Sequence, residues 1–306
     1  MNWFILFYLL YLSTGTLIAK DYWKHSELQG DVGSCHTFAT IALVEAEYWR
    51  ASGQFINLSE RDLFLRHYTN GHSSCSEMIT HQLVAATYKM LPQRYGEAGH
   101  INLDFSLAQK NGIASERELP YDPLFSNGVA MAMKRLRFER DQLAKEASQL
   151  KNTKQWSSSV AQTKIQQSFY QLKSVQKTLS LPEYTRTRDW TQKWLENYKL
   201  RHLKPKTTSQ VKSSIIAQLS ASPVAVDVSN FEELISHSHH TSCNYSRHSL
   251  VVSHYNPGTD QFSIRSSTHK DSIWVSANAL SRGTYQLYYV ERNNSSDSPS
   301  TLTVAN

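Results

Sequence analysis

The chain of 306 residues has three cysteines, Cys35, Cys75 and Cys243. That is too few for a disulfide-stapled mini-fold, and the odd number leaves at least one thiol unpaired within the chain. After the N-terminal stretch, no apolar run approaches the length of a membrane span. Zinc-finger spacing, a phosphate loop and an aromatic-basic sheet motif are all missing. The net charge of +6 is spread over segments in which acids interleave, so no nucleic-acid partner is expected. What remains is a globular chain, long enough for two lobes with a substantial core and implying no metal or organic cofactor.

Residues 1–19 carry no charge, contain the run "WFILFYLLYL" and end near small residues, Gly15 and Ala19. They read as a secretory signal peptide. No Lys or Arg precedes the apolar run, which keeps an uncleaved N-terminal anchor open as the alternative. Either way the rest of the chain is expected in a secreted or periplasmic, extracytoplasmic setting, with no stable membrane span after signal removal. There Cys75 and Cys243 can oxidise together and leave Cys35 free.

Downstream of Cys35, the residues Phe38, Ile41, Ala42, Val44, Ala46 and Tyr48 recur at helical intervals up to Gly53. Cys35 is thus predicted at a helix N-terminus. Ser59 in "LSERDL" is a predicted N-cap, with Asp62 at the third position beyond it. A helix is predicted over Met78 to Met90, and another in "LDFSLAQKNGI" closed by Gly112. From Met131 to about Arg201 the sequence turns glycine-free and charged. Leu136, Leu143 and Leu150 there sit seven apart, followed by Ile165, Phe169, Leu172, Val175 and Leu179. This predicts an inserted helical hairpin, packing on itself and the lobes or offering a face to a protein partner. Beyond it, "VKSSIIAQL" reads as a helix, and "PVAVDV", "HSLVVSHY", "QFSIRS", "SIWVSA" and "TYQLYYVER" read as strands. The first half is helical and the second strand-rich.

A thiol attacks carbonyl carbon well only as thiolate, which a helix N-terminus and a nearby imidazolium favour. Cys35 is predicted to have the first of these. Among 13 histidines, His248 begins an apolar strand, the rigid mount that a base needs. By itself such a histidine can equally satisfy a core hydrogen bond.

Five stretches in the same order resemble the papain-like cysteine peptidases. "QGDVGSCHTFA" keeps a glutamine six residues before the thiol, with Gly-Ser directly before it, and "LSERDL" is similar to the family's "LSEQ-L" helix. "NGIASERELPYDP", "VKSSIIAQLSASPVAVDV" and "RHSLVVSHY" resemble three further family segments. The resemblance implies an α+β, two-lobe fold with a helical left lobe, an antiparallel β-rich right lobe and an inserted helical hairpin. The boundaries that follow are 20–130 for the left lobe, 131–205 for the insertion, 206–292 for the right lobe and 293–306 for a flexible tail.

The resemblance also implies roles. Cys35 is the nucleophile and His248 the base, while the side-chain amide of Gln29 donates to the oxyanion, worth about 3–4 kcal/mol in comparable sites. A polypeptide substrate lies between the lobes. Counting back from Gly112-Ile113 puts Gly99 where the family pairs with substrate backbone, and Ser34 and Ser249, beside the thiol and the histidine, are the other substrate-binding candidates. Four positions depart from the pattern. Val32 replaces the cysteine of the family's usual left-lobe disulfide, His36 replaces a tryptophan, and Ser266 replaces the asparagine that orients the histidine, with Thr268 in place of a second tryptophan. A serine is shorter than asparagine, so contact with His248 is expected only through water or a shifted strand, with Ser267 or His269 as alternative orienters. The expected function is a secreted cysteine endopeptidase. The alternatives are a weak or inactive homologue that binds peptides or a partner, and a transamidase using the same acyl-enzyme.

Overall fold

The structure, a computed structural model, describes residues 28–30, 32–69, 74–87, 99–181, 186–229, 231–235 and 247–293. The signal peptide assigned to 1–19, Cys243 of the suggested disulfide and all but the first residue of the tail lie outside these residues.

Helix α1 (Cys35–Ser52) carries apolar or small residues on nearly every face and is buried from His36 to Tyr48. It ends at Gly53, whose φ of 70° is the left-handed conformation that glycine adopts without strain. The Gly53 N–H closes the helix on the Trp49 carbonyl at 2.7 Å. In α2 (Glu60–Tyr68) the expected cap is present: Ser59 Oγ accepts from the Asp62 N–H at 3.1 Å. Helices α3 (Cys75–Thr87) and α4 (Ile101–Asn111) complete the left lobe. At the end of α4, Gly112 has φ 66°, and a Cβ there would lie 1.9 Å from the Arg188 carbonyl oxygen, so no larger residue fits.

The hairpin starts earlier than its leucine spacing shows. Asp122 accepts from the Phe125 N–H at 2.7 Å and Pro123 occupies the first turn, so α5 runs Pro123–Asn152. It returns through α6 (Ser158–Gln171) and α7 (Lys173–Thr178). Leu136, Leu143, Leu172, Val175 and Leu179 share one buried cluster with Phe64, Met78, Ile79 and Leu83 of the left lobe. The hairpin is therefore an extension of the left-lobe core. Its seven-residue spacing fits this because α3 supplies the facing apolar surface.

Helix α8 (Arg186–Leu195) packs back on the left lobe, where Arg188 donates to Asp62 through Nε at 2.7 Å and Nη2 at 3.1 Å. The following residues depart from the expectation of helical structure to about Arg201. Tyr198–Leu203 form strand β1, antiparallel to the last strand. Alternation of apolar and basic residues in "YKLRHL" is a strand pattern, and the partner strand supplies its hydrogen bonds.

After α9 (Thr208–Leu219) come β2 (Val224–Ser229), α10 (Phe231–Ile235), β3 (Arg247–Asn256), β4 (Gln261–Arg265), β5 (Ile273–Ser276), α11 (Ala277–Gly283) and β6 (Thr284–Arg292). The sheet order is β1-β6-β2-β3-β4-β5, all neighbours antiparallel. One sheet face, with Ala225, Val251, Tyr288 and Val290, packs on Ile41, Leu43 and Val44 of α1. The other face, with Val226, Val228, Leu250 and Val252, packs on α9, α10 and α11. Helix α1 is thus enclosed by the left lobe and the sheet, giving the expected two-lobe α+β architecture.

Carboxyls are buried along this seam. Glu45, Glu60 and Glu116 are each 9% exposed or less. Burial pushes Glu45 up to about 8 and Glu60 well above its ordinary value, and the Arg265 guanidinium only partly counters this. Both acids have folded values above their unfolded ones. Their stabilising protonated form is therefore fully present below about 4.5 and is lost as pH rises through about 8. The melting temperature should fall between pH 5 and pH 9, by an amount on the order of a few kcal/mol of stability. Glu60→Gln, which holds the neutral shape at every pH, should flatten that slope; an unchanged slope in thermal melts would show that the buried acids do not set it.

Candidate active site

Cys35 is the first residue of α1 and is partly exposed. The backbone that leads into the helix is fixed on both sides. Ser34 is fully buried, with its hydroxyl 3.2 Å from Tyr121 Oη. Tyr121 in turn donates to the Gln29 carbonyl at 2.8 Å. The Ser34 side chain therefore anchors the start of α1, and burial removes it as a surface for substrate, correcting that expectation.

Gln29 bridges the lobes. Its backbone N–H donates to the Ser267 carbonyl at 2.9 Å, and its Oε1 accepts from Ser267 Oγ at 2.5 Å. Holding Oε1 in this way orients the Nε2 edge of the amide as the donating edge. Ser267 thus holds the glutamine rather than the histidine.

Register separates Ser249 from His248. Asp227 pairs with Ser249 and Val228 with His248 in the β2–β3 ladder, so alternate residues face opposite sides of the sheet. Ser249 faces Cys35, and its hydroxyl donates to Asp227 Oδ1 at 2.6 Å. Asp227 Oδ2 also accepts from Tyr288 Oη at 3.0 Å. Donors reaching the Cys35 sulfur come from Ser249 and from the His36 backbone.

His248 is buried and stacks on Phe231 with ring centroids 4.2 Å apart. Ser266 Oγ lies 2.9 Å from His248 Nε2, so the serine reaches the ring directly. The expected water or strand shift is unnecessary, because β4 already carries Ser266 to the face that His248 occupies. Behind it, Ser266 Oγ lies 2.8 Å from Thr268 Oγ1, which lies 2.8 Å from His269 Nδ1, and the Thr268 N–H donates to Ser266 Oγ at 3.3 Å. One consistent direction runs from His248 Nε2–H to Ser266, from the Ser266 hydroxyl to Thr268, and from the Thr268 hydroxyl to neutral His269 Nδ1. That direction leaves Nδ1 as the basic atom of His248. Position 269 is His in sequence, but only the loop after β4 shows that it ends this array.

The resting charges differ from the ionised pair expected. Burial pushes the Cys35 thiol up to about 11; the Ser249 N–H opposes this, while the Asp227 charge adds to it. Burial likewise pushes His248 down to about 3, helped by His269. Desolvation is the largest influence on both groups and favours the neutral thiol and the neutral imidazole, opposed at Cys35 by its partial exposure and by the Ser249 and His36 backbone donors. Asp227 was not legible as a site residue, because a single carboxylate in "PVAVDV" has no spacing signal.

Gly99 lies against two imidazoles. A Cβ there would come 2.3 Å from His67 Cε1 and 2.4 Å from His36 Cε1. The backbone of this candidate substrate contact therefore sits beside the residue that follows Cys35, and no side chain fits between.

The family described as "Papain family cysteine protease" matches residues 19–279 of the chain. No match was found among curated proteins. Among solved structures, the PepW structure from Lactobacillus rhamnosis HN001 is 14% identical, covers 92% of this chain and 83% of its own, and has a TM-score of 0.56, which supports a shared fold. Xylellain, a cysteine protease from Xylella fastidiosa, is 14% identical over 88% of this chain and 82% of its own, with a TM-score of 0.46. The Carica candamarcensis cysteine protease CMS1MS2, in complex with E-64, is 14% identical over 89% and 94%, with a TM-score of 0.45.

The hydroxyl array has a direct readout. At pH 5 the ¹⁵N shifts of His248 should be those of a neutral ring protonated at Nε2, since its value is near 3. Ser266→Ala should release the tautomer and His269→Ala should weaken the preference. A His248 ring protonated at Nδ1, or unmoved by Ser266→Ala, would show that the array does not orient it.

Proposed function

The chain belongs to the papain family of cysteine proteases, and from that membership we propose a secreted endopeptidase acting through Cys35, with His248 as base and then acid. The observation that carries this reading is the seam at Gln29 and Ser267, held by bonds of 2.9 Å and 2.5 Å, one residue from the Ser266 that orients His248. It ties Gln29, six residues before Cys35, to the loop after β4 in which Ser266 meets His248.

In the proposed reaction, an extended polypeptide lies between the lobes near Gly99 and Ser249. Proton transfer from Cys35 Sγ requires His248 Nδ1 to reach the sulfur directly or through one water. The sulfur attacks the scissile carbonyl as the proton leaves for Nδ1, and the oxyanion is met by the Cys35 N–H and Gln29 Nε2. His248 then returns the proton to the leaving amine, giving a thioester. Water, deprotonated by His248, attacks the thioester and restores the thiol. As Nδ1 gains a proton, Ser266 Oγ, accepting from Nε2–H and backed by Thr268 and His269, holds the ring in place.

A second reading is favoured by one observation. The thiol pushed up to about 11 is that of a poor resting nucleophile, as a peptide-binding homologue of low turnover would have. An amine acceptor in place of water would make the same intermediate a transamidase, which product masses with and without added amine distinguish. A partner role for the hairpin rests on Phe138 and Tyr170, large rings that are 53% and 67% exposed. Among the described residues no helix is long and apolar enough to cross a membrane.

Incubation of the protein with an epoxide inhibitor of cysteine peptidases should add one adduct at Cys35 by intact mass and peptide mapping, and should stop peptide cleavage. The rate of simple alkylation by iodoacetamide should keep rising beyond pH 9, as a thiol near 11 requires. Absence of the epoxide adduct, with Cys35 still alkylated at high pH, would favour the peptide-binding homologue over the enzyme.

A further inference from the structure

The left lobe contains a second cluster of reactive side chains that the peptidase chemistry does not use. His36 from α1, His67 from α2 and Asp104 from α4 meet with their ligand atoms all within 4.8 Å of one another. Asp104 is fully buried, His36 is 1% exposed and His67 10%. Both rings turn Nδ1 toward the same carboxylate, His36 to Oδ2 at 2.6 Å and His67 to Oδ1. We propose that His36, His67 and Asp104 form a binding site for one divalent ion of the zinc class. This site stands apart from the peptidase reading, and its existence does not depend on turnover.

The donor set decides the class of ion. Two imidazoles with one carboxylate suit zinc and its neighbours, whereas calcium and magnesium take oxygen ligands. In a tetrahedral zinc site the bonds of about 2.0–2.1 Å place ligand atoms about 3.4 Å apart. The His36 to Asp104 separation of 2.6 Å therefore has to open by less than about 1 Å.

The surroundings match a built site. Thr37 Oγ1 donates to Asp104 Oδ2 at 3.0 Å, the outer contact that fixes a ligating carboxylate. The rings of His36 and His67 lie 4.3 Å apart at 44°, so they do not stack flat on each other. Gly99 covers them, and a Cβ there would come 2.4 Å from His67 Nε2. Three protein ligands leave a fourth position for water at the side where His67 is exposed. An ion here would clip together α1, α2 and α4 beside Cys35, in a lobe where the position expected for a disulfide half is the buried Val32.

The test uses the mature chain carrying Cys35→Ser, so that the thiol cannot bind metal. Metal-stripped protein titrated with Co²⁺ should take up one ion per chain, with visible d–d bands of tetrahedral intensity, and Zn²⁺ should displace it and raise the melting temperature. X-ray absorption of the Zn²⁺ form should show two imidazoles and oxygen ligands without sulfur. His67→Gln, at the least buried ligand, should abolish the bands and weaken binding by more than the roughly ten- to hundredfold that outer-contact changes cost. Absence of saturable binding by the Cys35→Ser protein would overturn the proposal. So would sulfur in the absorption spectrum, or binding that survives His67→Gln and disappears when His237, His239 and His240 of the "HSHH" run are replaced. The variant lacking His237, His239 and His240 leaves the three ligands untouched, so stoichiometric binding that it retains supports the proposal, and binding that it loses overturns it, even if His67→Gln does not fold.

Discussion

The enclosure of α1 is the constraint on which the rest of the molecule depends. From His36 to Tyr48 the helix is buried on every side, against the left lobe on one flank and the sheet on the other. A helix without a solvent face has to be apolar or satisfied all round. Its few polar residues therefore find partners: His36 with Asp104, Thr40 with the His36 carbonyl at 2.9 Å, and Glu45 with the Leu58 N–H at 2.8 Å. Because the helix cannot move independently, its first residue is presented at a fixed point on the seam. That point is where Gln29, Ser249 and the loop after β4 converge.

The same enclosure sets the electrostatics. Removing water from the seam raises Cys35 and Glu45 and lowers His248, each toward its neutral form. The array of Ser266, Thr268 and His269 meets the Nε2 edge of His248, on the far side of the ring from Nδ1. Asp227 is the counterweight. Its charge opposes a thiolate, yet it is held by Ser249 and Tyr288 and lies within reach of His36 and His100. The electrostatic state of the cleft thus couples both lobes.

The hairpin shows how an added segment joins an existing core. Its leucines bury on α3, and Lys151 reaches the Thr87 carbonyl at 2.5 Å. Its far end returns through α8, where buried Asp62 receives Arg188, Arg66 and the Ala114 N–H. A buried carboxylate with this many donors is stable only when all are present, so α2, α4 and α8 are fixed relative to one another. From there the chain enters the sheet as β1.

Sequence alone determined the elements whose signals are local. The periodicity after Cys35, the cap at Ser59, Gly112 at a helix end and the valine-rich strands each depend on residues within a turn or a pleat. The ordered resemblance at five stretches added the fold and the candidates Cys35, His248, Gln29 and Ser266. Local pattern failed where the deciding partner is far away. Residues 198–203 become a strand because β6 lies beside them, and Ser34 turns inward because Tyr121 meets it. Tertiary structure alone decided that Ser266 touches His248, that Ser267 holds Gln29, and that His36, His67 and Asp104 share one point. The physical reason is that hydrogen bonds and desolvation act over a few ångströms in space, whatever the separation along the chain, and only packing brings those atoms within range.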